Sequence, residues 1–184
     1  MHGNRRYDDC GTTRVVVGVS GSLGSLAALH RAAAEARRTG AALVPVLAWE
    51  PPGGELGYRR SPCPPLLTAA RDAADQRLRD ALDAAFAGAD PGVPVHPVVV
   101  RGETGPALVH IADRPDDLLV LGHGGNLLRR GFRRSVASHC LREAACPVLT
   151  VPAPPLQREL EALHRRTRWH LPIGHVPELV GTKG

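Results

Sequence analysis

The chain has 184 residues, 43% of them hydrophobic but only 3% aromatic, and carries a formal net charge of +5. That length supports one domain with its own core, and a core built from Ala, Val and Leu suits helices packed on a buried sheet while excluding a large aromatic groove. Lys183 is the sole lysine, so nearly all the positive charge is arginine, the side chain that grips phosphates and carboxylates in a bidentate way.

In chain order, the first element is a valine-rich run over 14–19, too short for a helix and β-branched enough for a strand buried on both faces. It stops at Ser20-Gly21-Ser22. Over 25–38, Leu26, Leu29, Ala33 and Ala36 recur at helical spacing, with Ser22 or Ser25 as the cap and Gly40 as the stop. A second apolar strand spans 42–49 and breaks at Pro51-Pro52-Gly53-Gly54, after which a loop runs to about Pro65. Leu67, Ala70, Ala74, Leu78, Ala81, Leu82 and Ala85 mark a long amphipathic helix over 66–86. A third strand is read at 93–100, a short helix at 106–112, a wholly apolar fourth strand at 117–121, a helix at 135–144 and a fifth strand at 147–151.

This alternation predicts an α/β fold, a five-stranded parallel sheet with right-handed crossovers and helices on both faces. The folded domain takes 13–152. Residues 1–12 are expected to form a disordered N-terminal segment, and 153–184 a Pro- and Arg-rich C-terminal extension with one short helix near 156–166 and otherwise loose chain. Cys10, Cys63, Cys140 and Cys146 make no C-x-x-C and no zinc-like spacing, so reduced structural thiols are expected and no metal site. No apolar run approaches the ~20 residues of a membrane span, and the opening MHGNRRYDDC lacks a secretory stretch, which reads as a cytoplasmic protein with no membrane partner.

In open parallel sheets ligands sit beyond the carboxyl ends of the strands, where helix N-termini offer unpaired N–H groups and a positive dipole end. The turn after the first strand, Val19-Ser20-Gly21-Ser22-Leu23-Gly24-Ser25, spaces its glycines G-x-x-G. That disfavours the G-x-G-x-x-G of NAD folds, and with the single lysine at the far end of the chain Walker-type ATPases are excluded. The turn after the fourth strand reads Gly122-His123-Gly124-Gly125-Asn126, continues to Arg133, and meets Arg134-Ser135-Val136-Ala137 at the head of a helix. Glycines there let backbone amides approach an anion, and Ser135 with the first helical N–H groups can close around it.

The VVVGVSGS turn, the strand Asp116-Asp117-Leu118-Leu119-Val120-Leu121, the glycine loop and the closing Ala145-Cys146-Pro147-Val148-Leu149-Thr150-Val151 fall in one order. Over roughly 14–152 the chain therefore resembles the universal stress protein family. The resemblance implies a Rossmann-like, adenine nucleotide alpha hydrolase-like domain over 13–152, binding of ATP or a related adenine nucleotide, Mg accompanying ATP, and a homodimer joined through the last strand. Carried over position by position, Val17, Gly18, Val19 and Ser20 would lie beside the ribose and Ala48 would offer backbone to adenine. Gly122, His123, Gly124 or Gly125, Arg134, Ser135, Val136 and Ala137 would surround the phosphates.

Three positions depart from the family pattern. Ser20 stands where ATP-binding members carry an aspartate that meets the ribose, replacing a charge-assisted contact with a neutral one. The glycine loop is one residue short, reading either G-x-G-x9 or G-x-x-G-x8, and Arg134 takes the place of the second phosphate-contacting glycine. Arg129, Arg130, Arg133 and Arg134 are either solvated surface or phosphate contacts, and His123 is either a phosphate contact or an exposed loop residue. His139 and Cys140 read as packing groups, and Asp116 and Asp117 as caps of the loop before them.

The function expected is a stress-response regulator that binds an adenine nucleotide weakly at the carboxyl edge of the sheet and works through its dimer and a regulatory protein partner. Nucleic acid is not expected. Efficient catalysis is not expected either, because Ser135 has no base and orienting acid nearby in sequence. The alternatives are a nucleotide-free dimeric interaction module with a degenerate site, favoured by Ser20 and Arg134, and a slow phosphohydrolase or adenylyl-transfer enzyme.

Overall fold

The computed structural model describes residues 13–122 and 135–155. Strands β1 (Arg14–Gly18), β2 (Ala42–Trp49), β3 (Val98–Arg101), β4 (Leu118–Gly122) and β5 (Val148–Val151) pair in parallel in the order β3-β2-β1-β4-β5. The helices are α1 (Leu23–Thr39), α2 (Gly54–Arg60), α3 (Pro64–Phe86), α4 (Thr104–Ile111) and α5 (Val136–Glu143). The five-stranded parallel sheet read from the sequence is thus the one observed. The expected terminal segments, apart from residues 153–155, lie outside the described residues, as does the loop between Gly122 and Ser135.

Strand alternation divides the core in two. Val15, Val17, Val19, Leu43, Leu47 and Trp49 face α1 and α3, while Val16, Val44, Val46, Leu119 and Leu121 face α4 and α5. The alanines of α1 and α3 let these helices lie close on the sheet, and Ala28, Ala32, Ala36 and Ala74 have no exposed surface at all. None of the described helices is long and apolar enough to cross a membrane.

Two element boundaries differ from the sequence reading for local reasons. The segment read as a loop before Pro65 contains α2, held by Glu55 and Tyr58 against the end of β3. The third strand begins at Val98 instead of 93, because its ladder with β2 is interrupted. Leu43 donates to Pro94 O and accepts from His96, so the odd residues of β2 address β3. Pro45 therefore turns a nitrogen without a hydrogen toward the stretch that precedes Val98. Pairing resumes at Val46 with Val98.

At the amino ends of the strands, Arg14 of β1 clamps the turn before β4. Its Nε donates to Asp117 Oδ1 at 2.9 Å and its Nη2 to Asp117 Oδ2 at 2.6 Å, with a further Nη2 contact to Asp113 at 2.8 Å. Asp117, whose side chain is wholly enclosed, also accepts from the Arg114 N–H, so it caps the turn preceding β4 as the sequence suggested and anchors β1 besides.

Candidate functional site at the carboxyl rim

The strand order reverses between β1 and β4: chain leaving β1 turns to the α1 face, and chain leaving β4 leads to α5 on the other. A crevice opens at such a switch point, and helices running back against parallel strands begin there. The closeness of the two sides is set by Gly122. A Cβ at that position would overlap Gly24 O and stand 3.0 Å from Ser25 N, so the end of β4 lies against the first turn of α1 with room only for a hydrogen.

Both helices flanking the crevice start on serine. Ser22 Oγ accepts from the Ser25 N–H at 3.2 Å, which decides between the two candidate caps, and Ser25 Oγ donates to Ser22 O at 2.9 Å. Ser135 Oγ accepts from the Ser138 N–H at 3.1 Å and pairs with Ser138 Oγ at 2.9 Å. Neither helix carries an acid in its first turn. Each N-terminus concentrates about half a positive charge and presents free N–H groups, an arrangement that holds an anion. Among the described residues, no group of three His, Cys, Asp or Glu could hold a metal ion.

The residues singled out in the sequence fall into three groups. Gly18, exposed Ser20, Gly122, Ser135, Val136 and Ala137 lie at or beside the switch point, the last two packed against the α4–α5 core. Val17 and Val19 are enclosed in the α1–α3 core, so only their backbone can reach a ligand, and the Val19 N–H is already donated to Val46 O. Ala48, near the end of β2, shares the side of Val44 and Val46. His123, Gly124, Gly125 and Arg134, with Arg129, Arg130 and Arg133, lie outside the described residues.

Packing accounts for the remaining candidates. A Cβ on Gly105 would come within 2.8 Å of His139 Cδ2, so the imidazole seats α5 on the first turn of α4. Cys140 is fully buried, with Sγ 3.9 Å from Gly105 O, and burial pushes its thiol up to about 11. Burial also raises Cys146. Thiols so shifted are unreactive at neutral pH.

A second feature of the rim escaped the sequence reading. On the α3 side of β2 and β3 lies a groove of about 530 Å³ whose lining includes Trp49, Leu67, Arg71, Asp75, Val99 and Arg101. Trp49 faces away from Ala48, so the groove is on the opposite side of the sheet. Arg101 donates to both carboxylate oxygens of Glu55, at 2.7 and 2.9 Å, and lies 4.9 Å above the Tyr58 ring. Glu55 and Tyr58, three residues apart as on one helix face, were the signal, hidden by the surrounding glycines and prolines.

The sequence profile described as the universal stress protein family matches residues 11–152. A universal stress protein crystallised in complex with cAMP is 28% identical, with a TM-score of 0.51 over 78% of this chain and 98% of its own. A family member from Burkholderia pseudomallei is also 28% identical, with a TM-score of 0.52 over 77% of this chain and 96% of its own. A universal stress protein from Archaeoglobus fulgidus, 23% identical, shares the fold with a TM-score of 0.53 over 75% of this chain and 92% of its own. Comparison with curated protein sequences gives no match.

Proposed function

Because the chain belongs to the universal stress protein family, we propose that it is a stress-response regulator that binds an adenine nucleotide at the β1–β4 switch point and signals through its oligomeric state, without efficient turnover. The contact of Gly122 with Gly24 and Ser25 carries this reading, since it brings the two glycine-bearing bends together beside two serine-capped helix starts. The 28% identical neighbour solved with cAMP supports an adenine nucleotide as the ligand class. Phosphate would meet the N–H groups at the heads of α1 and α5, and Ser20 would meet the ribose through its hydroxyl. That neutral contact is weaker than a carboxylate's, which fits a sensor that releases its ligand readily.

The open edge of β5 supports a homodimer through the last strand. Val148, Leu149 and Val151 leave half-buried apolar surface beside backbone groups that nothing in the chain pairs among the described residues.

Calorimetric titration with AMP and ATP tests the nucleotide reading. Saturable binding that weakens about tenfold in Ser135→Ala, the loss of roughly one charge-assisted hydrogen bond, is the result expected. If neither nucleotide binds at millimolar concentration while the protein remains a dimer, the chain is instead an interaction module. The Ser20–Ser22 hydroxyl pair at 3.1 Å, which already occupies the first turn with a neutral partner, favours that second reading.

A further inference from the structure

An adenine nucleotide with more than one phosphate usually arrives with Mg²⁺, an ion that demands near-octahedral oxygen ligands and is held in proteins by one or two carboxylates besides the phosphates. The donors of this rim do not meet that demand. From Val19 to Ser25 the β1–α1 turn offers only hydroxyls, those of Ser20, Ser22 and Ser25, and the last two are committed to capping α1. At the head of α5, Ser135 and Ser138 are bonded to one another. Between Gly122 and Ser135 the sequence has four arginines and no aspartate or glutamate.

The nearest acids belong elsewhere. Asp113 and Asp117 bind Arg14 at the amino ends of the strands, opposite the rim. Glu55 is tied to Arg101 beyond β3, two strands away from β1. Glu50 and Glu103 follow β2 and β3 and so border the far side of the rim from β4. Among the described residues, neither the β1–α1 turn nor the head of α5 supplies a carboxylate to a divalent cation bridging phosphates at the β1–β4 switch point.

We propose that this site takes its nucleotide without a divalent cation: the phosphate is neutralised by helix N-termini and backbone N–H groups, and the ligand is a metal-free adenine nucleotide, best a mono- or cyclic phosphate. The inference rests on the nucleotide reading above and sharpens it. A hydrated Mg²⁺ on ATP would cancel the anionic charge that these donors recognise, so metal and protein compete for the same oxygens.

Binding of AMP and of ATP to the full chain, measured by calorimetry in excess EDTA and again in millimolar Mg²⁺, tests the proposal. AMP affinity is expected to stay within about twofold between the buffers, and ATP affinity to fall about tenfold in Mg²⁺, the equivalent of one charge-assisted hydrogen bond. Tighter binding of either nucleotide to the unaltered protein in Mg²⁺ overturns the inference and leaves nucleotide binding standing. The absence of saturation in both buffers overturns the nucleotide reading itself.

Discussion

Gly122 and Asp117 stand near opposite ends of β4, and each has a measurable consequence at the scale of a single side chain. A methyl group at 122 would meet backbone on α1, which cannot rotate away. Gly122→Ala is therefore expected to destabilise the fold by about 2 kcal/mol, the cost of overpacking, and to weaken nucleotide binding by spreading the crevice. Urea denaturation and titration of the same variant check both. Asp117→Ala leaves Arg14, its side chain 15% exposed, with the solvated Asp113 as its remaining carboxylate beside the Ile111 carbonyl, and is expected to cost about 3 kcal/mol in urea denaturation. A loss under about 1 kcal/mol would make the clamp an ordinary surface pair. The sequence marked both residues, Gly122 by its place after an apolar strand and Asp117 by its place before it. Their partners, Gly24 and Arg14, are about a hundred positions away, and no local pattern connects residues so distant.

Among the elements, strands and long helices were legible because burial repeats every two or about 3.6 residues, and α1, β2 and α3 fall within a few residues of their predicted spans. The failures lie where periodicity is overridden. Before β3, Pro45 of β2 has no N–H for the ladder although the apolar pattern continues, and in α2 a single salt bridge organises a segment rich in glycine and proline. That bridge makes α2 pH-sensitive. The Arg101 guanidinium holds the Glu55 carboxyl below its ordinary value of 4.5. Since the folded state favours the charged form, the stabilisation is complete above that value and is lost as pH falls through the lower, folded one. Hydrogen exchange of the α2 amides is expected to accelerate below about pH 4.5 in the parent protein and to be fast already at pH 7 in Glu55→Gln. Equal protection of the two proteins at pH 7 would show that apolar contacts, not this pair, hold the helix.

For the molecule as a whole, the edge of β5 and the rim at β1 and β4 carry the two proposed activities. Leu119 donates to Pro147 O, so odd residues of β5 address β4 and Thr150 turns its N–H to the open edge. Thr150→Pro should thus leave the sheet intact and convert the dimer to a monomer, which light scattering with circular dichroism reads directly. A variant that remains dimeric places the interface elsewhere. The architecture was readable because alternating strands and helices admit few topologies. The site was readable only in outline, since which bends converge depends on strand order, and the α3 groove arises from side chains brought together by three separate segments. Backbone amide chemical shifts recorded during titration with AMP discriminate most directly. The β1–β4 crevice requires the largest changes at Gly18–Ser25, Gly122 and Ser135–Ala137, whereas changes centred on Trp49, Arg71 and Val99 would put the ligand in the groove on the other side of the sheet and contradict the account.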